Sequence, residues 1–220
     1  GLAGWRLAPH LYAGPLGRLV FSTPTETEAG GELEGTGRSL SSGGGARALW
    51  DSRDSDASPR AGRLVSLEAA GYPRQLGSTD EWVSLTLDAR SYHSLAGSHV
   101  IALEAVAGGS AGDVPFRELP RVGGAALMRG YYDGRYRDKA MVALQGEYRF
   151  PLFWRLGGVL FGGAAEVAPR FADLRLDDPK IAGGAGLRLL VDREQQVNLR
   201  VDFGLTPEGS GLYVGIAEAF

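Results

Sequence analysis

Two segments at the end of the chain alternate with a strict period of two. Val197, Leu199, Val201, Phe203 and Leu205 interleave with Asn198, Arg200, Asp202 and Gly204. After the turn Pro207-Glu208-Gly209-Ser210-Gly211, Leu212, Val214 and Ile216 interleave with Tyr213, Gly215 and Ala217, and the sequence stops at Phe220. Apolar residues on one face and charges on the other mean a sheet whose faces meet different media. A sandwich in water shows the same alternation. Charges on the opposite face, with no helix-period stretch anywhere, favour an antiparallel transmembrane β-barrel. In such a barrel the last strand pairs with the first, and Phe220 places its ring at the periplasmic interface.

Composition sharpens this expectation. No window reaches the ~18 consecutive apolar residues of a membrane helix. The 44% share of hydrophobic residues and mean hydropathy of −0.11 look soluble, yet a barrel with a polar lumen averages to the same values. The 34 glycines are about twice the usual ~7% share, and most sit inside alternating runs, where they suit strands that twist and pack closely. The absence of cysteine excludes a disulfide scaffold and a Cys-ligated metal. A net charge of −3 with scattered arginines gives no basis for a nucleic-acid partner. The first residue is Gly1, not Met, and no signal peptide is visible, which reads as a processed or trimmed amino terminus.

Strand-like segments recur along the chain. Trp5 to about Ala13 and Arg18 to about Pro24 are apolar but alternate poorly, and Glu32 to about Leu40 is a weak candidate. Clear alternation follows at Ala46–Asp51, Val65–Ala69, Val83–Arg90 and Ile101–Ala107. From about Gly109 to Asp138 the chain is irregular and rich in Gly, Pro, Arg and Tyr; loops of this length are usually functional. Strands resume at Val142–Arg149, Trp154–Val167, Ala185–Leu189 and the closing pair. Single-chain bacterial barrels normally have an even number of strands. One domain over 1–220 with about 12 strands (range 10–12) is therefore expected.

With the apolar face toward lipid, Leu85, Leu87, Leu103, Leu187 and Val201 point outward, and Thr86, Asp88, Arg188 and Asp202 inward. Arg47, Asp51, Glu68, Arg90, Glu104, Glu147, Arg149 and Arg200 share the inner face. Charges at membrane depth must meet water or each other, so these residues either pair and plug a narrow lumen or line a solute path. Ser91 and His93 share one face of a strand and offer a nucleophile and a base, although chance proximity explains them as well. Gly183-Gly184-Ala185-Gly186 lacks the Lys and helix of a phosphate loop. The residues call for no metal and no cofactor.

The long irregular stretch holds Gly112-Asp113-Val114-Pro115-Phe116, Gly123-Gly124, Met128-Arg129-Gly130-Tyr131 and Gly134-Arg135-Tyr136-Arg137-Asp138. It resembles the BamA/TamA-like bacterial surface antigen superfamily of outer-membrane assembly barrels. The signature there is an Arg-Gly-aromatic tip on a long loop followed by five strands. Asp51-Ser52-Arg53-Asp54 with Pro59 and Gly62 resembles the family's Asp-x-Arg-Asp…Pro…Gly hairpin, and Gly184-Ala185-Gly186-Leu187-Arg188 its G-x-G-x-R strand. Arg200, Asp202, Gly204 and Phe220 complete the match over 44–220.

The resemblance implies that the loop near 109–138 folds into the lumen, carrying Arg129, Gly130 and Tyr131 to the inner wall. Phe161, Glu147, Arg188, Arg200 and Asp202 are then the lumen partners, and Phe220 is a C-terminal assembly signal. The family's receiving Phe-x-Asp-x-Gly strand reads Phe161-Gly162-Gly163-Ala164-Ala165 here. Its acidic residue is missing and Glu166 should face the other way, which makes Glu147 the nearest acidic candidate. No POTRA repeats are visible and the length does not supply the usual 16 strands, so the chain reads as a shortened barrel or a piece of a larger protein. The implied function is a non-enzymatic bacterial outer-membrane component in the insertion or translocation of proteins or lipids. Its partners would be the bilayer and other outer-membrane or periplasmic proteins. A passive loop-plugged pore or structural barrel is the alternative, and a lipid-acting enzyme using Ser91 and His93 a more distant one.

Overall fold

A computed structural model describes residues 4–22, 38–175 and 177–220. The strands are β1 (Trp5–Ala8), β2 (Leu11–Ser22), β3 (Ser39–Asp51), β4 (Gly62–Tyr72), β5 (Trp82–Ser94), β6 (Val100–Gly112), β7 (Arg121–Val122), β8 (Tyr136–Arg137), β9 (Ala140–Phe153), β10 (Leu156–Ala168), β11 (Lys180–Asp192), β12 (Val197–Thr206) and β13 (Gly209–Ile216). All except β7 and β8 form one antiparallel sheet of 11 strands that follows chain order. Most of the expected weak candidate Glu32–Leu40 lies outside the described residues; β3 begins at Ser39.

Why these segments are strands follows from their two faces. Leu85 pairs with Gly109 and Leu87 with Ala107, and paired residues share a face. Leu85, Leu87, Leu103, Leu187 and Val201 are all exposed, whereas Arg188 and Asp202 are buried. A globular core would invert that pattern; a barrel in lipid requires it. The early strand β2 runs unbroken through Pro15, which pairs with Ala46 of β3. On its other side the described residues of β1 end opposite Ala13.

The strand number agrees with expectation, while the pairing of the last strand and the place of Phe220 are corrected. The described sheet has 11 strands, within the expected range of 10–12. The last strand was expected to pair with the first, but β1 and β13 stand at opposite ends of the strand order. β13 itself ends in a sharp bend. Ala217 adopts a φ of 68°, a left-handed conformation that breaks a strand, and the next residues turn into the lumen. Phe220 is accordingly buried against Tyr92 of β5 and Ala102 of β6 instead of sitting at an interface.

The segment between β6 and β9 folds inward. Its β7–β8 pair and a short turn at Phe116–Glu118 give it internal structure. Val122, Met128 and Tyr131 pack on Met141, Ala143 and Ala165 of the wall. Arg18 of β2 meets Glu118 at 2.9 Å. The loop therefore spans the lumen from β2 to β10. At the opposite end the lumen is filled by the β3–β4 turn, with Pro59 fully buried, and by residues 217–220.

Candidate functional site

Met128, Arg129, Gly130 and Tyr131 form the innermost point of the loop. Two backbone conformations make the bend: Met128 at φ 56° and Gly130 at φ 120°, the second readily available only to glycine. The bend is fixed by polar contacts to three strands. The Met128 amide donates to Gln145 Oε1 at 3.1 Å, and Gln145 Nε2 donates to the Ala126 carbonyl at 2.8 Å. The Gly130 amide donates to the Tyr213 hydroxyl at 3.0 Å, which itself donates to the Tyr131 carbonyl at 2.9 Å. Tyr131 donates its own hydroxyl to the Ile181 carbonyl at 3.1 Å and stacks edge-on with Tyr136.

Arg129 is only 1% exposed. Its Nη1 lies 2.6 Å from Asp202 Oδ2, and its Nη2 is paired with Glu147 Oε1. The guanidinium carbon sits 3.7 Å above the Phe161 ring. A planar fork with one tine on each carboxylate and an aromatic face beneath is an arrangement that arginine fills and lysine does not.

Register explains how these groups converge. Phe161 pairs with Glu147, Arg188 with Arg200 and Asp202 with Tyr213, and all point inward. The strand corresponding to Phe161–Ala165 carries no acid, and the two carboxylates that hold Arg129 come from β9 and β12 instead. Glu166 is engaged elsewhere, with Lys180 Nζ at 3.2 Å.

The carboxylates are shared. Arg188 Nη1 pairs with Asp202 Oδ1, and Arg200 Nη1 lies 3.1 Å from Asp202 Oδ2. Arg149 Nε donates to Glu147 Oε2 at 2.7 Å. Arg200 also reaches the loop, donating from Nη2 to the Ala125 carbonyl at 3.0 Å. Two buried carboxylates thus gather the cations of β9, β11, β12 and the loop.

Phe220 lies at the margin of this network. Its carbonyl accepts from Arg149 Nη2 at 3.0 Å, and its ring lies 5.8 Å below the same guanidinium. The Asp51-Ser52-Arg53-Asp54 turn is held by Arg53 on Asp51 at 2.8 Å and by Asp54 accepting from the Arg60 amide at 2.9 Å. It presents the Pro59 carbonyl to Arg149 Nη1 at 3.1 Å.

Several contributors escaped the sequence reading. Gln145 and Tyr213 were visible as inward positions by period but carried no motif. Glu218 lies beyond β13, where period two gives no signal. Ser91 and His93 fall on the outward face of β5, opposite Leu103 and Ile101 of β6, among lipid-facing side chains and away from the lumen network.

Comparison with known proteins bears on this geometry. The Omp85 superfamily domain matches residues 12–220. Among solved structures, the crystal structure of BamA from Haemophilus ducreyi lacking POTRA domains 1-3 is similar, with a TM-score of 0.63 at 15% identity. The likeness covers 81% of this chain and 42% of that one, so this chain spans less than half the length of that relative. At this identity the likeness concerns the fold. No curated protein matches.

Proposed function

The chain belongs to the Omp85 superfamily of outer-membrane assembly barrels, and from that premise we propose that it acts in the insertion or translocation of proteins or lipids at the bacterial outer membrane. It does so without catalysing a chemical reaction. The observation that carries this reading is the docking of Arg129 between Glu147 and Asp202 over Phe161. A loop held by buried ion pairs in a membrane lumen is anchored strongly enough to brace the wall formed by β9 to β13. These strands run up to β13, which pairs with β12 and carries no further strand on its other edge among the described residues. Bracing a wall beside an open sheet edge is mechanical work suited to an assembly barrel, which must keep that edge from collapsing or self-pairing. The bilayer is its solvent, and the expected protein partners are outer-membrane or periplasmic.

The experiment is reconstitution. Vesicles containing this chain should accelerate the folding of a urea-unfolded outer-membrane protein, and vesicles containing Arg129→Ala should lose most of that acceleration. Equal rates with and without the chain would exclude the assembly role.

One observation favours a second reading, a passive pore. A cavity of about 620 Å³ lies between the loop and the β2–β6 wall, lined among others by Glu68, Thr86, Arg18 and Tyr72. Steady conductance in planar bilayers, unchanged by the loop variants, would support the pore over the assembly barrel.

A further inference from the structure

The seven charged groups around the loop tip do not balance. Arg129, Arg149, Arg188 and Arg200 face Glu147, Asp202 and Glu218 in one connected set of ion pairs. Glu218 differs from the other carboxylates because it sits outside every strand, on the 217–220 segment. It makes no contact with Arg129. Its Oε2 takes Arg188 Nε at 2.6 Å and lies 3.7 Å from Arg149 Nε. Its Oε1 accepts from Asn198 Nδ2 at 2.7 Å, and its amide donates to the Ala57 carbonyl at 3.0 Å.

Arg188 and Arg149 are therefore held from two sides. Each has one side on a carboxylate that also holds Arg129 (Asp202 and Glu147 respectively), and the other side on the 217–220 segment. We propose that Glu218 is a positioning residue for the docked loop: by taking up part of Arg188 and Arg149, it leaves Asp202 and Glu147 free to hold Arg129. The inference rests on the docked-loop reading above and adds that the loop and the 217–220 segment are coupled.

The arginines compete for the carboxylates in a buried space. Neutralising Glu218 leaves those four cations facing two anions. Charges buried without partners are expelled or paired anew. Arg149, Arg188 and Arg200 are fixed on β9, β11 and β12. Arg129 alone rides on a loop, so it is the cation that leaves. Coupling of this kind is reciprocal: undocking the loop must loosen the 217–220 segment by the same factor.

The chain has no cysteine, so single reporter thiols are clean. Ala143, which is 2% exposed, lies under the loop, and Ala102, fully covered, lies under Phe220. Ala143→Cys and Ala102→Cys, each assembled as the full chain in vesicles, report the two ends by maleimide labelling. With Glu218→Gln added, the Ala143→Cys thiol should label roughly 5- to 150-fold faster, the range of ordinary coupling. Glu218→Asp, which keeps the charge, should restore most of the protection. Arg129→Ala should raise labelling of the Ala102→Cys thiol in turn.

The inference is overturned if Glu218→Gln opens the Ala102→Cys thiol while the Ala143→Cys thiol keeps its parent rate. The docked-loop reading itself fails in a different way, by rapid labelling of the Ala143→Cys thiol with Glu218 intact. Should Glu218→Gln not assemble, Asn198→Ala removes one donor to Glu218 and is read by the same two outcomes.

Discussion

Gly204 lies directly beneath the backbone of Arg129: a Cβ added at Gly204 would come within 2.5 Å of the Arg129 carbonyl carbon and oxygen, and 2.6 Å of the Gly130 amide nitrogen. The loop tip rests on bare backbone of β12. Gly163 of β10 lies beside Met128: an added Cβ there would come 2.8 Å from Gln145 Cβ and the Leu144 carbonyl oxygen of β9 and 3.0 Å from the Met128 sulfur. Gly204 is the floor of the loop's berth, and Gly163 leaves room for the Met128 side chain.

Gly204→Ala should consequently lift the loop. Backbone cannot yield as a flexible side chain can, and overpacking of this kind costs about 1–3 kcal/mol. The folded band on semi-native gels should lose heat resistance, and the thiol of Ala143→Cys should become accessible. Parent-like melting together with a protected thiol would show that the tip has room to shift.

Arg129→Ala removes one of the partners of Glu147 and of Asp202 and the cation on Phe161, while Arg149, Arg188 and Arg200 still pair with those carboxylates. Because an uncompensated buried charge would cost roughly 3–5 kcal/mol, the expected loss is smaller than that but measurable. Arg129→Lys should recover little, because an ammonium cannot fork to both carboxylates while lying flat on Phe161. Thermal melting of the folded band compares the three proteins. If lysine melts like arginine, the planar geometry is irrelevant.

Leu87→Arg and Leu103→Arg place a charge on the outward face. Near the membrane midplane each should cost about 2–4 kcal/mol, seen as reduced assembly into vesicles and a shifted unfolding midpoint. Assembly equal to the parent's would reverse the inward and outward assignment of β5 and β6.

Acid should release the 217–220 segment. Burial alone pushes the Glu218 carboxyl up, but Arg149 and Arg188 overcome this, helped by the Asn198 amide, and hold it below the usual glutamate range. A carboxylate lowered on folding stabilises fully above its unfolded value, about 4.3. That contribution is lost as pH falls through the lower folded value. The difference in heat resistance between the parent and Glu218→Gln should thus be constant above about pH 5 and shrink below it. A difference that persists unchanged into strong acid would mean that the charge of Glu218 contributes nothing.

Much of this architecture is legible in sequence because a barrel wall obeys a local rule. One face meets lipid and the other does not, so period two alone places Leu85, Leu103 and Val201 outside and Arg188 and Asp202 inside. Resemblance added the Arg129-Gly130-Tyr131 tip, which period two does not reach because it lies on a loop. What sequence could not supply was the closure of the polar network. The two carboxylates on Arg129 come from β9 and β12, which lie three strands apart, and only the curl of the sheet brings them to one guanidinium. The inward turn at Ala217 was equally hidden. Alternation predicts where a strand points, not where it stops, and Phe220 and Glu218 enter the lumen because buried arginines there need an anion and an acceptor. Local alternation settled the wall; the unmet charges inside it, which only the tertiary structure assembles, decided what fills the lumen.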